Sequence, residues 1–205
     1  MKQKDFLSII PGQYTGKEIE AEATVDLEEG TDPVTTFYEA KERLLNVNKW
    51  HDVAGIVSAK FQVVDNNGRE VDRNVQKGDY LKIDIPGPGS TAGEGYDWVI
   101  IEELKEISED EIQCIGFRVR PTKNPSGDEN SIAHFYEDSA TSNFIITREG
   151  KKITANIIDR NIKPNDKTGS FTDKIRDTAV GIGAIGGFSK LQWQNLANGL
   201  VEVKK

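Results

Sequence analysis

The feature that most constrains this fold is a series of short strand-like segments between residues 56 and 160, separated by turn residues rather than by helices. The clearest turn is Asp65-Asn66-Asn67-Gly68, in which Asn-Gly supplies the positive φ that tight hairpins require. Strands joined in this way favour an antiparallel meander over βαβ units, whose parallel strands need long crossover connections. The sequence predicts six strands here, at 56–64, 80–85, 98–107, 111–120, 132–147 and 151–160, and the strand at 132–147 is expected to be bent or bulged with its weak point at 138–142.

A seventh strand and a helix precede this meander. Apolar residues alternate with polar ones across 17–26, which predicts a half-buried strand. Pro33 follows a pair of capping residues at 31–32, so a helix is predicted to begin there and to fade near 46–48. Trp50 comes next and is expected to fold beneath the sheet as an anchor.

The C-terminal segment 171–203 has helical periodicity, with Thr172 or Asp173 as a cap and one apolar stripe. Four glycines between 181 and 187 leave few apolar side chains in that stripe. Each glycine lowers the stability of a helix interior by about 1 kcal/mol relative to alanine. The glycines therefore indicate either a kinked or broken helix or a very close backbone approach, and we predict two pieces, the second from about Ser189 to Gly199.

Length and composition favour one domain, because the chain has 205 residues and a charged fraction of 29% within the globular range. Residues 1–16 are predicted to form an N-terminal arm over a single α+β domain at 17–203. Cys114, the single cysteine, lies in an apolar stretch and is expected to be a small buried residue. The first residues are too short for a signal-peptide core, so we expect a cytoplasmic protein.

The net charge of −8 and the pI near 4.9 argue against nucleic acid as a partner, because phosphate binding needs a basic stripe. Basic residues are instead interleaved with acids along the chain. The same balance disfavours an anionic membrane surface, and no apolar run reaches the roughly 18 residues of a membrane span. A homodimer stays compatible with the sequence.

The order strand, helix, six antiparallel strands and C-terminal helix resembles the START-like helix-grip superfamily, also called SRPBCC. The likeness covers 17–203 and includes a capped helix that ends in Asn48-Lys49-Trp50. It implies a curved sheet that grips the last helix around an apolar cavity, and hence a small, largely apolar ligand. The long segment at 161–170 and the glycines at 181–187 depart from the family pattern.

Two further functions are compatible with this resemblance. One is a cyclase- or isomerase-like enzyme acting on an aromatic or polyketide-type substrate, with His134 as its acid or base. The other is a protein-interaction module of the chaperone-activator type. A cavity bearing the imidazole of His134 would favour the first, whereas a filled cavity and a flat exposed apolar patch would favour the second.

Within the implied cavity, His134, Tyr136 and Arg118 are the predicted orienting polar groups. His134 lies in phase with Tyr136 on a predicted strand, and a general base, a metal ligand and a structural residue are all compatible with it. Arg118 shares a strand face with Arg120, so it points to solvent unless a bulge turns it inward. The predicted aromatic ligand contacts, which are equally compatible with core positions, are Trp98, Tyr80 and Trp193.

No cofactor or metal is predicted. The stretch 181–186 matches G-x-G-x-x-G, but too few residues follow it for a second strand and a ribose-binding acid, which favours packing or hinge glycines. No H-x-H spacing occurs, and a metal site needs three or four convergent ligands, which the two histidines do not supply. The glycine-rich segment 86–95 lacks a P-loop ending and is either a hairpin connection or a mobile lid over the cavity.

Overall fold

The computed structural model describes residues 5–55, 59–85, 93–127, 131–165 and 181–203, with the backbone alone described for 181–188. Seven strands form one antiparallel sheet in the order β1-β7-β6-β5-β4-β3-β2. The strands are β1 Lys17–Asp26, β2 Lys60–Val64, β3 Tyr80–Asp84, β4 Asp97–Ser108, β5 Ile112–Pro121, β6 Thr141–Glu149 and β7 Lys152–Ile162. The helices are α1 Pro33–Leu45, α2 Trp50–Ala54 and α3 Gly181–Leu200, and a 3-10 turn at Val47–Lys49 joins the first two.

The first helix is capped as the sequence predicts. The carboxylate of Asp32 accepts hydrogen bonds from the backbone N–H groups of Val34 and Thr35, both at 3.2 Å. Pro33 occupies the first turn, where its missing N–H leaves no intrahelical bond unmade. The predicted bounds of this helix and of β1 are confirmed.

The predicted strand at 132–147 is wrong in its first half, because β6 begins at Thr141. Residues 131–140 form irregular structure held to the segment after β7, where the N–H of Asn165 donates to the carbonyl of Phe135 at 2.9 Å. The cause is local: Nδ1 of His134 accepts the backbone N–H of Tyr136 at 2.9 Å. That N–H is therefore not available to a strand ladder.

The predicted break in the last helix is also wrong across 181–200, since α3 runs through its glycines without interruption. Helix propensity is a weak preference that tertiary packing overrides. Leu196, Ala197 and Leu200 are all buried in the main core, which holds the C-terminal half of α3 in place. The predicted caps at 172–173 lie outside the described residues.

The main core lies on the concave side of the sheet, beneath α1, α2 and α3. Trp50 is buried there, and its ring centroid lies 5.2 Å from that of Phe61 and 4.7 Å from that of Phe144. Its indole N–H donates to carbonyls at the end of α1. The predicted anchoring role of Trp50 is confirmed, and its ring partners Phe61 and Phe144 line the cavity described below.

A second, smaller core lies on the convex side of the sheet. Leu7 and Ile9 pack there against Cys114, Ile145 and Ile158. The thiol of Cys114 is buried as predicted, and this burial raises its pKa to about 11. Residues 5–10 thus cover the back of the sheet and leave its concave face to α3.

Among the helices of the described chain, none combines the length and the apolar character that crossing a bilayer would require.

Candidate functional site

A cavity of about 310 Å³ lies between the concave face of the sheet and α3. This volume is near the lower end of the range for small-molecule sites, which is about 300–1,000 Å³. Most of the lining is aliphatic or aromatic. The lining residues are Ala59, Phe61, Leu81, Ile83, Ile85, Val99, Val119, His134, Phe135, Tyr136, Ser142, Phe144, Asp159, Ser189, Gln192 and Trp193.

Asp159 places a buried carboxyl group inside this cavity. Its Oδ2 accepts a hydrogen bond from the indole N–H of Trp193 on α3 at 2.8 Å. Its Oδ1 is buried and has no hydrogen-bond partner among the described residues. Ser142 stands directly opposite on β6, yet it forms no hydrogen bond of normal geometry with Oδ1.

Burial raises the pKa of Asp159 to about 6, because desolvation penalises the charged form. The Ser142 hydroxyl, the Trp193 indole and the Arg160 guanidinium act in the opposite direction but do not outweigh it. The Arg160 side chain belongs to the convex face, where it pairs with Glu20 on β1 at 2.6 Å. The carboxyl group therefore sits in a polar niche of a largely apolar cavity.

The direction of the Asp159 side chain follows from strand alternation. Ile153, Ala155 and Ile157 on β7 face the concave core, and the next residue in that phase is Asp159. Sequence reasoning missed Asp159, although the signal was present, because an acid in phase with an apolar stripe must be buried or paired.

His134 lines the same cavity from the irregular segment before β6. Because its Nδ1 accepts the N–H of Tyr136, the neutral ring carries its proton on Nε2. Burial lowers the pKa of this imidazole to about 3. The ring stacks on Phe135 at a centroid distance of 4.4 Å, so His134 acts as a neutral, fixed part of the wall.

Tyr136 connects this wall to α3. Burial is the main cause that raises the pKa of its phenol, followed by the negative charge of Asp159. A side-chain hydrogen bond with Ser189 on α3 acts in the opposite direction. Gln192, one turn further along α3, accepts the backbone N–H of Ala59 at 3.3 Å. The polar groups of the cavity thus cluster where α3 meets β7 and the 134–136 segment.

Three of the six predicted site residues line the cavity, namely His134, Tyr136 and Trp193. The other three, Arg118, Trp98 and Tyr80, lie outside it. Each of the three adjoins a residue that does line the cavity: Val119, Val99 and Leu81 respectively. Adjacent strand residues face opposite sides of a sheet, so these three side chains point to the face opposite the cavity.

Their observed contacts agree with that placement. Arg118 donates to the carboxylate of Glu102 and to the carbonyl of Ile9, both at 2.9 Å, on the convex face. Trp98 is buried in a separate small cluster with Val64, against which Tyr80 packs. The hypothesis in which the sheet bulges and turns Arg118 inward is therefore wrong.

Neither glycine-rich motif supplies a lining residue of the cavity among the described residues. The stretch 181–186 lies within α3 rather than at a strand-to-helix turn, which does not suit a dinucleotide site. Most of the predicted lid at 86–95 falls outside the described residues. Within the described ranges, no group of three His, Cys, Asp or Glu side chains converges as a metal site would require.

No family model matches the sequence, and no curated protein matches it. A hypothetical protein from Helicobacter pylori is 12% identical and has a TM-score of 0.50, with 89% of this chain and 87% of that one covered. A protein from Thermus thermophilus is 11% identical, at a TM-score of 0.43 and with 90% and 94% covered. Human STARD10 is 11% identical, at a TM-score of 0.41, and the match covers 87% of this chain and 63% of that one.

The Helicobacter pylori structure supports the fold, and the chain's own architecture specifies it. A helix follows the first strand, six antiparallel strands complete one sheet, and the C-terminal helix packs on the concave face. The predicted α+β class is confirmed, and so is the predicted helix-grip arrangement of one seven-stranded antiparallel sheet with the C-terminal helix packed on it.

Proposed function

We propose that this chain binds a small, largely apolar ligand in the cavity between the sheet and α3. The observation that carries this proposal is the cavity itself, about 310 Å³ in volume and lined mostly by apolar side chains. Burial of apolar ligand surface contributes roughly 25 cal/mol per Å². The polar cluster of Asp159, Tyr136 and Ser189 orients the ligand at one end.

The convex side suits such a ligand less well. A groove there runs beside β1 and β7, but charged and polar groups such as Glu20, Glu149, Lys152 and Arg160 contribute to its lining. Arg160 is already paired with acids of β1. An apolar ligand would bury less apolar surface in this groove than on the concave face.

The interaction-module alternative is less well supported. Its expected signature is a filled cavity with a flat exposed apolar patch. The described part of the chain instead has an open cavity, and its exposed large apolar residues are few: Tyr14, Val34, Tyr38 and Leu191.

Ligand binding is tested by adding a panel of small apolar molecules to stripped protein and recording the melting temperature. A ligand at about 100 times its Kd stabilises the fold by roughly 2.7 kcal/mol, or about 5–10 °C for a domain of this size. Val99→Phe, which fills the cavity, should abolish the shift. Ile100→Phe, the neighbouring residue on the other face, should retain it.

If no molecule raises the melting temperature and native mass spectrometry finds no co-purified ligand, the proposal fails. It fails equally if Val99→Phe and Ile100→Phe leave identical shifts, because binding would then lie elsewhere.

A second candidate is a cyclase- or isomerase-like enzyme, favoured by an acid, a phenol and an imidazole in one cavity. His134 is a weak choice of base, because its Nδ1 is occupied and burial disfavours its protonation. Asp159 suits the role better, since its pKa is raised to about 6 and its Oδ1 lacks a described partner.

This second function is tested by deuterium exchange at the acidic C–H bonds of a small aryl ketone in D₂O. We expect protein-dependent exchange that Asp159→Asn abolishes and that His134→Gln retains. Exchange no faster than without protein would exclude this chemistry for that substrate class.

A further inference from the structure

The cavity carries one formal charge that its described walls do not compensate. Asp159 is the one acidic side chain in the lining, and none of the described lining residues is a lysine or an arginine. Among the described residues, the cation whose charge acts on it is Arg160, which lies on the other face of the sheet and is paired with Glu18 and Glu20. A buried carboxylate without a counter-charge is costly, so such groups are normally paired.

The carboxylate is also only half satisfied in its hydrogen bonds. Trp193 donates to Oδ2, and the nearby Ser142 hydroxyl also favours the charged carboxylate, but Oδ1 is buried and has no described partner at normal hydrogen-bond geometry. A carboxylate oxygen accepts but cannot donate, so the group that completes this site must bring a donor. A donor that also carries positive charge would satisfy Oδ1 and compensate the charge together.

Three aromatic rings lie together in the same cavity, and one of them contacts Asp159. Trp193, which bonds Asp159, has its ring centroid 5.3 Å from that of Phe144 and 6.3 Å from that of Phe61. All three rings line the cavity. The faces of aromatic rings attract cations, and they do so more strongly in desolvated sites. A carboxylate bonded to Trp193, in a cavity that also holds Phe144 and Phe61, is thus suited to an organic ammonium group with an apolar body.

We propose that the ligand is a small apolar amine whose protonated nitrogen pairs with Asp159 beside Trp193 and Phe144. This inference rests on the proposed ligand-binding function and specifies the chemical class of the ligand. The cavity volume of about 310 Å³ corresponds to roughly ten water molecules at about 30 Å³ each, so one ring with a short amine-bearing chain suits it.

The test uses matched probes on the full chain at neutral pH. Phenethylamine carries the cation, propylbenzene is its neutral counterpart of equal length, and phenylacetate carries an anion. Affinities are measured by ligand-detected NMR or calorimetry on the unmodified chain and on Asp159→Asn. Asn keeps an acceptor for the Trp193 indole but has no charge. Asp26→Asn, which removes one charge from an exposed position at the end of β1, is the control.

Phenethylamine should bind most tightly of the three probes and phenylacetate most weakly. Asp159→Asn should weaken phenethylamine by roughly 30-fold or more, as expected for a buried charge pair, and should change propylbenzene less than threefold. Asp26→Asn should change neither.

The proposal is overturned if phenethylamine binds no tighter than propylbenzene, or if Asp159→Asn leaves its affinity unchanged. In both cases, propylbenzene binding that Val99→Phe blocks would leave the cavity proposal standing. If neither probe binds the unmodified chain, the amine proposal fails, and the panel of apolar molecules described above decides the cavity proposal separately.

Discussion

Trp193 on α3 donates its indole N–H to Oδ2 of Asp159 on β7 across 2.8 Å, and this bond ties the C-terminal helix to the sheet inside the cavity. Both side chains line the cavity, so the bond is a structural support and a part of the candidate site at once. Its strength depends on the charge of the carboxylate, which makes it sensitive to pH.

Trp193→Phe keeps an aromatic ring in place but removes the donor. We expect a loss of about 1.5–3 kcal/mol in unfolding free energy at pH 8, the usual contribution of a hydrogen bond to a charged group. The loss should shrink at pH 4, where the carboxyl is protonated and the bond is weaker. Urea denaturation at the two pH values measures both, and equal losses at both would show that the charge of Asp159 does not matter to the bond.

Asp159→Asn should stabilise the ligand-free protein at pH 8. The folded-state pKa of Asp159 is raised from 3.8 to about 6, so the folded form holds its proton more tightly than the unfolded form does. Stability is therefore lost as pH rises from about 4 through 6, by up to roughly 3 kcal/mol. Melting temperatures from pH 3.5 to 8 should show the variant several degrees above the unmodified protein at pH 8. The difference should close below pH 4, and a difference independent of pH would refute the raised pKa.

His134 should stay neutral well below neutral pH and carry its proton on Nε2. Burial lowers its pKa to about 3, and Nδ1 accepts the Tyr136 N–H. Nitrogen-15 shifts of the imidazole at pH 5 should show the neutral Nε2–H tautomer, with the half-exposed His51 as the reference signal. A protonated ring at pH 5 would contradict the buried placement.

The same histidine should weaken the fold in acid. A base whose folded-state pKa is depressed loses stability as pH falls below its unfolded value, near 6.5. In His134→Gln, the unfolding free energy should therefore decrease less between about pH 6 and pH 4 than it does in the unmodified protein. An equal decrease in the variant and in the unmodified protein would show that other groups cause the sensitivity to acid.

Gly199→Ala tests the contact between α3 and α2. A Cβ at Gly199 would clash with the backbone carbonyl oxygen of Val53. Alanine normally stabilises a helix interior by about 1 kcal/mol relative to glycine, so a net loss of stability would reveal the clash. Asn198→Ala, at an exposed neighbouring position, is the control and should be neutral or stabilising. If Gly199→Ala stabilises as much as the control, the helices do not approach this closely.

Most of the fold follows from local sequence signals. The alternation across 17–26 and the Asp32-Pro33 cap predict β1 and the start of α1, because burial and capping there depend on near neighbours. The exceptions have local or tertiary causes. The His134 side chain takes the Tyr136 N–H and prevents a strand, and packing carries α3 through glycines that propensity alone disfavours.

The site is less predictable from sequence than the fold. Strand phase excludes Tyr80, Trp98 and Arg118 from the concave face, and it assigns Asp159 to that face. The Trp193–Asp159 pair has no local signal, because the two residues are 34 positions apart and meet only through the way α3 packs on the sheet. Pairings of this kind require tertiary structure.

The most direct measurement of the central claim is a ¹⁵N correlation spectrum of the three indole N–H groups during titration with a small apolar ligand. Trp193 lies in the cavity and bonds Asp159, whereas Trp98 lies outside it. We predict a saturable shift of the Trp193 signal, assigned by its loss in Trp193→Phe, with the Trp98 signal unchanged. A Trp193 signal that stays fixed while ligand binds, or one that moves no more than Trp98, would contradict a binding site between the sheet and α3.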